Sequence, residues 1–423
     1  MTDREFISLR NGALETAVSD PQGLVDVGEG LSPKPAAPSG SAAIPVLLMA
    51  RQLDFGGIER DVSKFARHLG KYGVSPHVAC FNPGGIRWRE IVAAGIPVLP
   101  LPVTSFKSRS AFIGARTLKR YLAEHHIQVV HAFDDPTSVF GNVVARLARV
   151  PVTLSSQLGS RDLSRLRTRM LMTIADRIAT AHFVNCQAMA EELAGSWNVS
   201  RNRIHVCYNG FEPEEFHANN RVRPPHLADA SVVIGTVALL RPEKNLPMLI
   251  EAFARVREAD PQARLLIVGS GPLKGELERR IQDLNLASAC ILQEASSTPA
   301  EWMRAMDIFV LPSRMEAFSN ALLEAMACGC CPVGSRVGGT PELIRHGERG
   351  ILFEPGNGEQ LAEALRTLLL DPGLRRRMAQ AAARFAHESL TIDIAASRLA
   401  SIYRDLLRQR GCGHLSSDQH RSA

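Results

Sequence analysis

Residues 308–337 read IFVLPSRMEAFSNALLEAMACGCCPVGSRV, and this stretch determines how the rest of the chain is interpreted. Ile308–Leu311 is a short apolar run with the length of a buried strand, and Pro332–Val337 is a second one. Between them, Asn320–Cys328 has the apolar spacing of a helix, and Asn320 is a suitable N-cap residue. A strand, a helix and another strand in this order predict one repeat of a parallel sheet covered by helices.

The same alternation runs along most of the chain on both sides of this stretch. It breaks near residues 213–230, where prolines and polar residues favour a linker. The sequence therefore predicts an α/β protein of two Rossmann-like domains, whose parallel sheets face one another across a cleft. The predicted parts are a disordered extension at 1–43, a first domain at 44–215, a second domain at 228–387 and a flexible tail at 411–423.

Composition places the chain among globular proteins, with 45% apolar and 22% charged residues. No run approaches the roughly 18 apolar residues that span a bilayer, and the N-terminus does not have the pattern of a signal peptide. The eight cysteines do not suggest a disulfide framework, which favours a reduced, cytoplasmic setting. Cys328 and Cys331 lack a second pair that would complete a zinc site, so we expect no metal.

The excess of positive charge is concentrated in the first domain. Residues 44–215 contain 21 Lys and Arg against 14 Asp and Glu, in a chain whose formal net charge is +6. Such a surface suits phosphates, nucleic acid or acidic lipid, although a simple solvated surface is an alternative. Aromatic residues are not interleaved with these cations, so we expect no nucleic-acid partner.

Two carboxylates flank the start of the predicted helix in the opening stretch. Glu316 lies in the loop after a strand, and Glu324 lies in the second turn of the helix. A helix N-terminus attracts anions, and a carboxylate one turn further along can accept hydrogen bonds from a vicinal diol such as ribose. The pair is suited to a nucleotide diphosphate, but the spacing alone favours a surface carboxylate pair beside an amphipathic helix.

Cations and glycines follow other predicted strands. Arg241 and Lys244 come directly after one strand and are able to neutralise phosphates, or simply to be exposed charges of a helix cap. Gly269 lies in a tight turn and Gly56-Gly57 precedes a helix. Glycines at such places let a ligand approach the backbone, although many such turns are only turns.

Together these motifs resemble glycosyltransferase family 4 (glycosyl transferases group 1), whose members have the GT-B fold. The resemblance covers roughly residues 44–408 and is stronger in the second domain. It is carried by GGIER at 56–60, YNGFEPEEF at 208–216, RPEKN at 241–245, VGSGPL at 268–273, EAFSNALLEAMACG at 316–329 and SRVGGTPELIRHGERGILFEPGN at 335–357.

The resemblance implies a retaining, metal-independent glycosyltransferase without a cofactor. Its substrates would be a nucleotide-diphosphate sugar and a glycan or lipid-linked acceptor, in polysaccharide, exopolysaccharide or glycolipid biosynthesis. It also implies that a C-terminal helix at 388–408 packs on the first domain. The implied site has Glu324 on the ribose, Glu316 on the transferred sugar, Arg241 and Lys244 on the diphosphate, and Gly57, Gly269, Phe318, Ser319, Asn320 and Leu322 around the nucleotide sugar.

One motif departs from the family pattern. Many members carry His-x-His after a strand of the first domain, and the second His points at the reacting sugar. Here the segment reads VHAFDDP at 130–136, with Phe133 at the second His position. His131 then becomes the candidate catalytic group, although a satisfied core histidine is an equal alternative. Asp134 and Asp135 follow within reach of an acceptor.

Other functions remain open at this stage. Residues 161–172 alternate basic and apolar side chains, which favours peripheral contact with anionic lipid at the inner membrane face, or else a solvated helix face. A GT-B nucleotide-sugar epimerase would turn over its substrate without an acceptor. A catalytically silent nucleotide-sugar-binding protein is a third possibility, which the missing second His favours.

Overall fold

The computed structural model describes residues 43–54, 56–159 and 166–411. The predicted extension, apart from residue 43, and the predicted tail, apart from residue 411, lie outside these ranges. The first residues of the basic segment at 161–172 also lie outside the described residues.

The first sheet has seven parallel strands, because short apolar runs alternate with amphipathic helices that cover both of its faces. Its strand order is β3-β2-β1-β4-β5-β6-β7. The strands are β1 Ile44–Gln52, β2 Val74–Asn82, β3 Val98–Pro100, β4 Val129–Ala132, β5 Val152–Gln157, β6 Ala181–Val184 and β7 Ile204–Val206. The helices are α1 Gly57–His68, α2 Ile86–Ala93, α3 Arg109–Glu124, α4 Asp135–Leu147, α5 Leu166–Ile178 and α6 Gln187–Gly195.

The second sheet has six parallel strands in the order β10-β9-β8-β11-β12-β13. The strands are β8 Val233–Val237, β9 Arg264–Val268, β10 Cys290–Gln293, β11 Ile308–Leu311, β12 Cys331–Ser335 and β13 Ile351–Phe353. The helices are α7 Leu246–Val256, α8 Lys274–Asp283, α9 Pro299–Ala305, α10 Asn320–Ala327, α11 Thr340–Leu343, α12 Gly358–Leu370, α13 Pro372–Ser389 and α14 Ile392–Gln409. The two parallel sheets confirm the predicted fold class.

The C-terminal helix expected at 388–408 corresponds to α14, which a short break separates from α13. Helix α13 ends at Ser389, and Thr391 caps α14 by accepting the N–H of Ile394 at 3.4 Å. At this break the chain pairs with Phe211, beyond β7. Helix α14 then buries its apolar face in the core of the first sheet, with Tyr403 fully buried.

In each sheet the chain changes direction beside its first strand. Strand β1 lies between β2 and β4, and β8 lies between β9 and β11. The loops that leave the carboxyl ends of such strands diverge to opposite faces of the sheet and leave a crevice. Both sheets belong to one compact unit of the chain, and their crevices contribute to one cavity.

Candidate active site

A cavity of about 880 Å³ lies between the two sheets. Its first-domain wall is formed by the segment after β1 and by α1, and its second-domain wall by the segments after β8, β9 and β11. Ligands of parallel sheets bind at this edge, and the volume is in the range of small-molecule sites. We therefore take this cavity as the candidate active site.

Helix α1 opens its N-terminus to the cavity. Gly57 is its first residue and lines the cavity, while the Glu59 carboxylate of the first turn accepts its own backbone N–H and lies against the N-cap Gly56. A Cβ atom added at Gly57 would meet nothing within 4 Å. The positive end of the helix dipole and the remaining N–H groups at Gly57 favour an anion such as a phosphate. The structure thus places Gly57 on the first-domain wall, as the sequence suggested.

The loop between β11 and α10 is fixed by a cap and by a glycine. Ser319, rather than the predicted Asn320, caps α10 by accepting the N–H of Leu322 at 3.3 Å. Gly338 packs against this loop so closely that a Cβ atom there would lie 1.9 Å from the carbonyl oxygen of Glu316. Its φ of +48° also favours glycine. These contacts hold the Glu316 loop at the cavity wall.

Glu316 forms an ion pair with Lys244. The Lys244 Nζ lies 2.6 Å from Glu316 Oε2, and Ser313 Oγ donates to the same oxygen at 3.1 Å. The Glu316 side chain is 14% exposed and that of Lys244 is 21% exposed, so water screens the ion pair only in part. An ammonium group has three donors, and Lys244 is therefore able to contact Glu316 and an anionic ligand together.

Glu324 lines the cavity and forms an ion pair with a residue of the opposite domain. The Arg60 guanidinium of α1 lies 2.9 Å from Glu324 Oε2. Glu324 is 1% exposed, and its Oε1 has no hydrogen-bond partner among the described residues. Burial raises the pKa of Glu324, and the positive charges of Arg60 and Lys64 oppose that rise.

Asn320 joins the two domains. Its Nδ2 donates to Asp61 Oδ1 at 3.0 Å, and its Oδ1 accepts from Asn209 at 3.0 Å. Asn209 also donates to Asp61 at 2.9 Å. The buried Lys64 lies 3.0 Å from Asp61. This cluster connects α10, α1 and the segment after β7, so the Asn320 side chain is engaged in an interdomain contact.

Three further residues of the predicted nucleotide-sugar site lie at the cavity wall or in the core behind it. Gly269 lines the cavity, but a Cβ atom there would lie 1.9 Å from the carbonyl oxygen of Ala238. The neighbouring chain, and not a ligand, therefore occupies the space of its missing side chain. Phe318 lines the cavity as well, with its ring 5.6 Å from that of Tyr208. Leu322 is fully buried in the apolar core, which corrects its assignment to the ligand surface.

Arg241 does not reach the cavity. It precedes the short turn Pro242–Lys244, its side chain is 57% exposed, and it lies 4.0 Å from Glu243. Of the two predicted cations, Lys244 is among the described residues that line the cavity and Arg241 is not. Of these two cations only Lys244 thus lies at the cavity, which corrects the expected convergence of both on one diphosphate.

His131 lies in the core of the first domain. It is fully buried, with Nδ1 2.7 Å from the Tyr403 hydroxyl and Nε2 2.8 Å from the Ser156 hydroxyl. Burial lowers the pKa of His131 to about 3, so the ring is neutral. Phe133 is buried too. The core alternative therefore describes His131, and its assignment to catalysis is corrected.

Asp134 caps helix α4. Its Oδ1 accepts the N–H of Thr137 at 2.9 Å, and its Oδ2 accepts the N–H of Arg51 at 2.5 Å. Thr137 completes a capping box with the Asp134 backbone. Both carboxylate oxygens thus serve the fold, which corrects the expectation that Asp134 is available to an acceptor.

Sequence reasoning missed the most informative residue of the site. Arg60 is part of the quoted GGIER motif, three positions after Gly57, but its partner is 264 residues away. A contact of that kind cannot be read from local spacing. The only available signal was the position of Arg60 one turn into the helix that opens on the cavity.

A metal centre and a membrane-spanning helix are both absent from the described residues. Within the part of the chain that the structure describes, no three or more His, Cys, Asp or Glu side chains are placed to hold a metal ion. In the same ranges, the helices are too short or too polar for any of them to cross a bilayer. The seven cysteines described are free and buried.

Comparisons with known proteins agree with this architecture. A model of the glycosyl transferase 4-like domain matches residues 56–210, and one of the glycosyl transferases group 1 matches residues 220–385. N-acetyl-alpha-D-glucosaminyl L-malate synthase of Bacillus anthracis is 33% identical over 183 residues, which is 43% of this chain and 48% of the relative. The Campylobacter jejuni N-acetylgalactosamine-N,N'-diacetylbacillosaminyl-diphospho-undecaprenol 4-alpha-N-acetylgalactosaminyltransferase is 28% identical over 239 residues, which is 56% of this chain and 64% of the relative. The chain thus spans about half to two thirds of the length of these relatives.

The solved structures agree on the fold. HepE of Anabaena, crystallised with UDP and glucose, has a TM-score of 0.74 at 21% identity, covering 86% of this chain and 100% of HepE. Such a likeness shows the two-domain GT-B architecture. The two family matches fall on the first and the second sheet, in the order of the motifs. The chain therefore belongs to glycosyltransferase family 4, the glycosyl transferases group 1.

Proposed function

We propose that this protein is a retaining glycosyltransferase that moves a sugar from a nucleotide-diphosphate sugar to a glycan or lipid-linked acceptor. One observation carries the proposal. The cavity combines Glu316, Lys244 and Glu324 of the second domain with the N-terminus of α1 at Gly57. Membership of the family supports the assignment, because these positions match its nucleotide-sugar motifs.

In this proposal each part of the donor has a partner in the cavity. The ribose hydroxyls bind the Glu324 carboxylate, and the transferred sugar binds Glu316 through its hydroxyls. The diphosphate lies between Lys244 and the N–H groups at Gly57, where a cation and a helix dipole favour negative charge. HepE was crystallised with UDP, so UDP-sugars are the first donors to test.

The proposed reaction breaks the bond between the anomeric carbon and the phosphate oxygen, and the diphosphate leaves with the bonding electrons. Lys244 stabilises the charge that develops on that oxygen, without a metal ion. The acceptor hydroxyl attacks from the same face, its proton passes to the departing phosphate, and the anomeric configuration is retained. Because the cavity is enclosed by both domains, their closure would limit hydrolysis of the donor.

Thermal shift with UDP-, GDP- and ADP-sugars tests the donor site. We expect one nucleotide class to raise the melting temperature of the native protein, and Glu324→Ala and Lys244→Ala to lose that rise. Lys71→Ala is the matched control, since it removes an exposed Lys–Asp ion pair with Asp393 and leaves the cavity unchanged. No rise with any donor, or an equal rise in all variants, would contradict the proposal.

A catalytically silent nucleotide-sugar-binding protein is the second candidate function. It is favoured by the first domain, where neither His131 nor Phe133 is among the described residues that line the cavity. Release of nucleotide diphosphate in the presence of candidate glycan and undecaprenyl-diphosphate acceptors separates the two functions. Turnover supports the transferase, whereas donor binding without turnover supports the silent protein.

An exposed apolar face of the first domain supports a membrane-bound acceptor. Helices α3, α4 and α5 lie side by side, with α4 in contact with both others. They and the preceding loop expose eight large apolar side chains, which we call the apolar-basic face: Phe106, Phe112, Ile113, Val143, Leu147, Met170, Leu171 and Ile174.

Exposed cations lie on the same helices and the loops beside them, and Glu124 is the one exposed carboxylate among the described residues of the three helices. Exposed apolar side chains together with exposed cations are typical of surfaces that bind anionic lipid. The name of the Campylobacter relative includes an undecaprenol-linked group. A peripheral position at the cytoplasmic membrane face, in polysaccharide, exopolysaccharide or glycolipid biosynthesis, is consistent with both. The exposed cations are Lys107, Arg109, Arg116, Lys119, Arg120, Arg146, Arg149 and Arg177.

Sedimentation with vesicles tests the apolar-basic face. We expect the native protein to sediment with vesicles of phosphatidylglycerol and phosphatidylethanolamine, and to lose this on reversal of Arg116, Lys119 and Arg120 to Glu. The matched control reverses three exposed arginines of the second domain, Arg366, Arg376 and Arg377. No sedimentation of the native protein, or equal loss in both triple variants, would contradict the membrane contact.

A further inference from the structure

Arg60 contacts the ribose-binding carboxylate of the proposed donor site from the opposite domain. It belongs to α1, whereas Glu324 belongs to α10. The guanidinium lies 2.9 Å from Glu324 Oε2 and 5.1 Å over the ring of Phe216. The Arg60 side chain is only 17% exposed. The ion pair and the aromatic contact together fix one orientation of the guanidinium.

The two oxygens of Glu324 have different environments. Oε2 is bound by Arg60, while Oε1 is buried and has no partner among the described residues. A buried carboxylate oxygen without a hydrogen bond is costly, unless a ligand supplies the missing donor. Glu324 lines the cavity, so a ligand hydroxyl is a suitable donor.

We propose that Arg60 is a positioning residue of the donor site, which holds the Glu324 carboxylate so that its free Oε1 accepts a ribose hydroxyl of the nucleotide. The inference rests on the proposed function, because it assumes that a nucleotide occupies the cavity. Since the two residues come from different domains, the ribose site is complete only when the domains are together. Donor affinity thereby depends on domain closure.

The charges around Glu324 make Arg60 its main source of positive potential. Asp61 and Lys64 face Glu324 from the same helix as Arg60, and Lys64 Nζ lies 3.0 Å from Asp61 Oδ1. Glu215 adds negative charge near Arg60, and Arg304 lies on the adjacent wall of the cavity. Removing Arg60 would leave a buried carboxylate with an already raised pKa and no direct cation.

Removal of Arg60 should make nucleotide binding depend on pH. Without Arg60 the pKa of Glu324 rises further, so Glu324 is protonated over a wider range of pH and no longer accepts from the ribose as a carboxylate. We expect Arg60→Gln to bind nucleotide weakly at low pH and better as pH rises. The native protein should show a flatter dependence over the same range. A purely structural role of Arg60 would weaken binding equally at every pH.

Calorimetric titration with UDP, GDP and ADP and with their 2′,3′-dideoxy analogues tests the inference. We expect Arg60→Gln to weaken binding of the preferred nucleotide about tenfold or more, as for loss of a charged hydrogen bond. Binding of the dideoxy analogue should hardly change, because it has no ribose hydroxyls for Glu324. Arg60→Lys should restore part of the affinity and the flat pH dependence, and it serves as the informative variant if Arg60→Gln does not fold.

Arg223→Gln is the matched control, since it removes an Arg–Asp ion pair of 2.6 Å that lies away from the cavity. It should bind all ligands as the native protein does. Equal weakening of the nucleotide and its dideoxy analogue by both Arg60 variants, or unchanged binding in both, would overturn the role of Arg60 alone. A native protein that binds none of the nucleotides would overturn the proposed donor site, and the inference with it.

Discussion

The two carboxylates of the cavity differ in their surroundings, although they lie eight positions apart on one loop and helix. Glu316 is partly exposed and pairs with Lys244, which we propose also binds the diphosphate. Glu324 is buried and depends on Arg60. Sequence spacing predicted the position of the pair but could not distinguish the two environments, because each depends on a cation brought from elsewhere in the fold.

His131 allows a prediction at the scale of one residue. Its pKa is about 3 in the folded protein, against an ordinary value of 6.5. Above about pH 6.5 the ring is neutral in both states, so folding is not penalised. Below that pH the unfolded ring takes up a proton that the folded ring does not. The free energy of unfolding should therefore fall by up to about 1.4 kcal/mol per pH unit on acidification towards pH 3.

Urea unfolding between about pH 7.5 and pH 4.5 measures this dependence. His131→Gln, which keeps a hydrogen-bonding side chain but does not titrate, should show a shallower fall than the native protein. His226→Gln is the control, because His226 is exposed, and its slope should match that of the native protein. If the free energy of unfolding of His131→Gln falls with pH as steeply as that of the native protein, the buried ring does not control acid stability.

At the scale of elements, the start of α10 was predicted to within one residue but its cap was not. Ser319 and Asn320 are both good N-cap residues, and the choice is made by a tertiary contact, since Asn320 binds Asp61. Strands β10 and β13 have only four and three residues. Runs this short carry little periodicity, and their pairing with longer neighbours defines them.

Gly338 provides the prediction for the loop that carries Glu316. Gly338→Ala should lower transfer or donor binding at least about tenfold, because a methyl group would collide with the Glu316 carbonyl and displace the loop. Gly347→Ala is the matched control. Its φ of +81° imposes a similar backbone strain, but a Cβ atom there meets nothing within 4 Å. Activity and melting temperature should be measured for both, and an equal loss of activity in the two variants would contradict this role.

At the scale of the whole molecule, Asp61 connects the two domains through Asn320 and Asn209. It also balances Lys64, whose side chain is 2% exposed. Asp61→Ala should reduce the free energy of unfolding by about 3–5 kcal/mol, because it leaves a buried cation without its carboxylate. Glu348→Ala removes an exposed Glu–Arg pair with Arg345 and should cost less than about 1 kcal/mol. Chemical unfolding of both variants checks this difference, and similar losses would contradict it.

The sequence predicted the two parallel-sheet domains because strand-length apolar runs and helical periodicity recur throughout the chain. It did not predict the contacts between the domains. Arg60 and Glu324 are 264 positions apart, and Asn320 and Asp61 are 259 apart. Local patterns do not encode such pairs. The sequence also left the role of His131 open for this reason. Its position on a strand is compatible with a catalytic site or with the core, and the distant Tyr403 of the C-terminal helix, which binds it, decides for the core.

A crystal structure of the protein with UDP, or with GDP or ADP if thermal shift selects one of them, is the most direct test of the donor site. We predict that the ribose hydroxyls contact Glu324 Oε1 with Arg60 still on Oε2, and that the diphosphate lies between Lys244 and the N-terminus of α1 at Gly57. A nucleotide bound outside this cavity, or bound in it without contact to Glu324 and Lys244, would contradict the account.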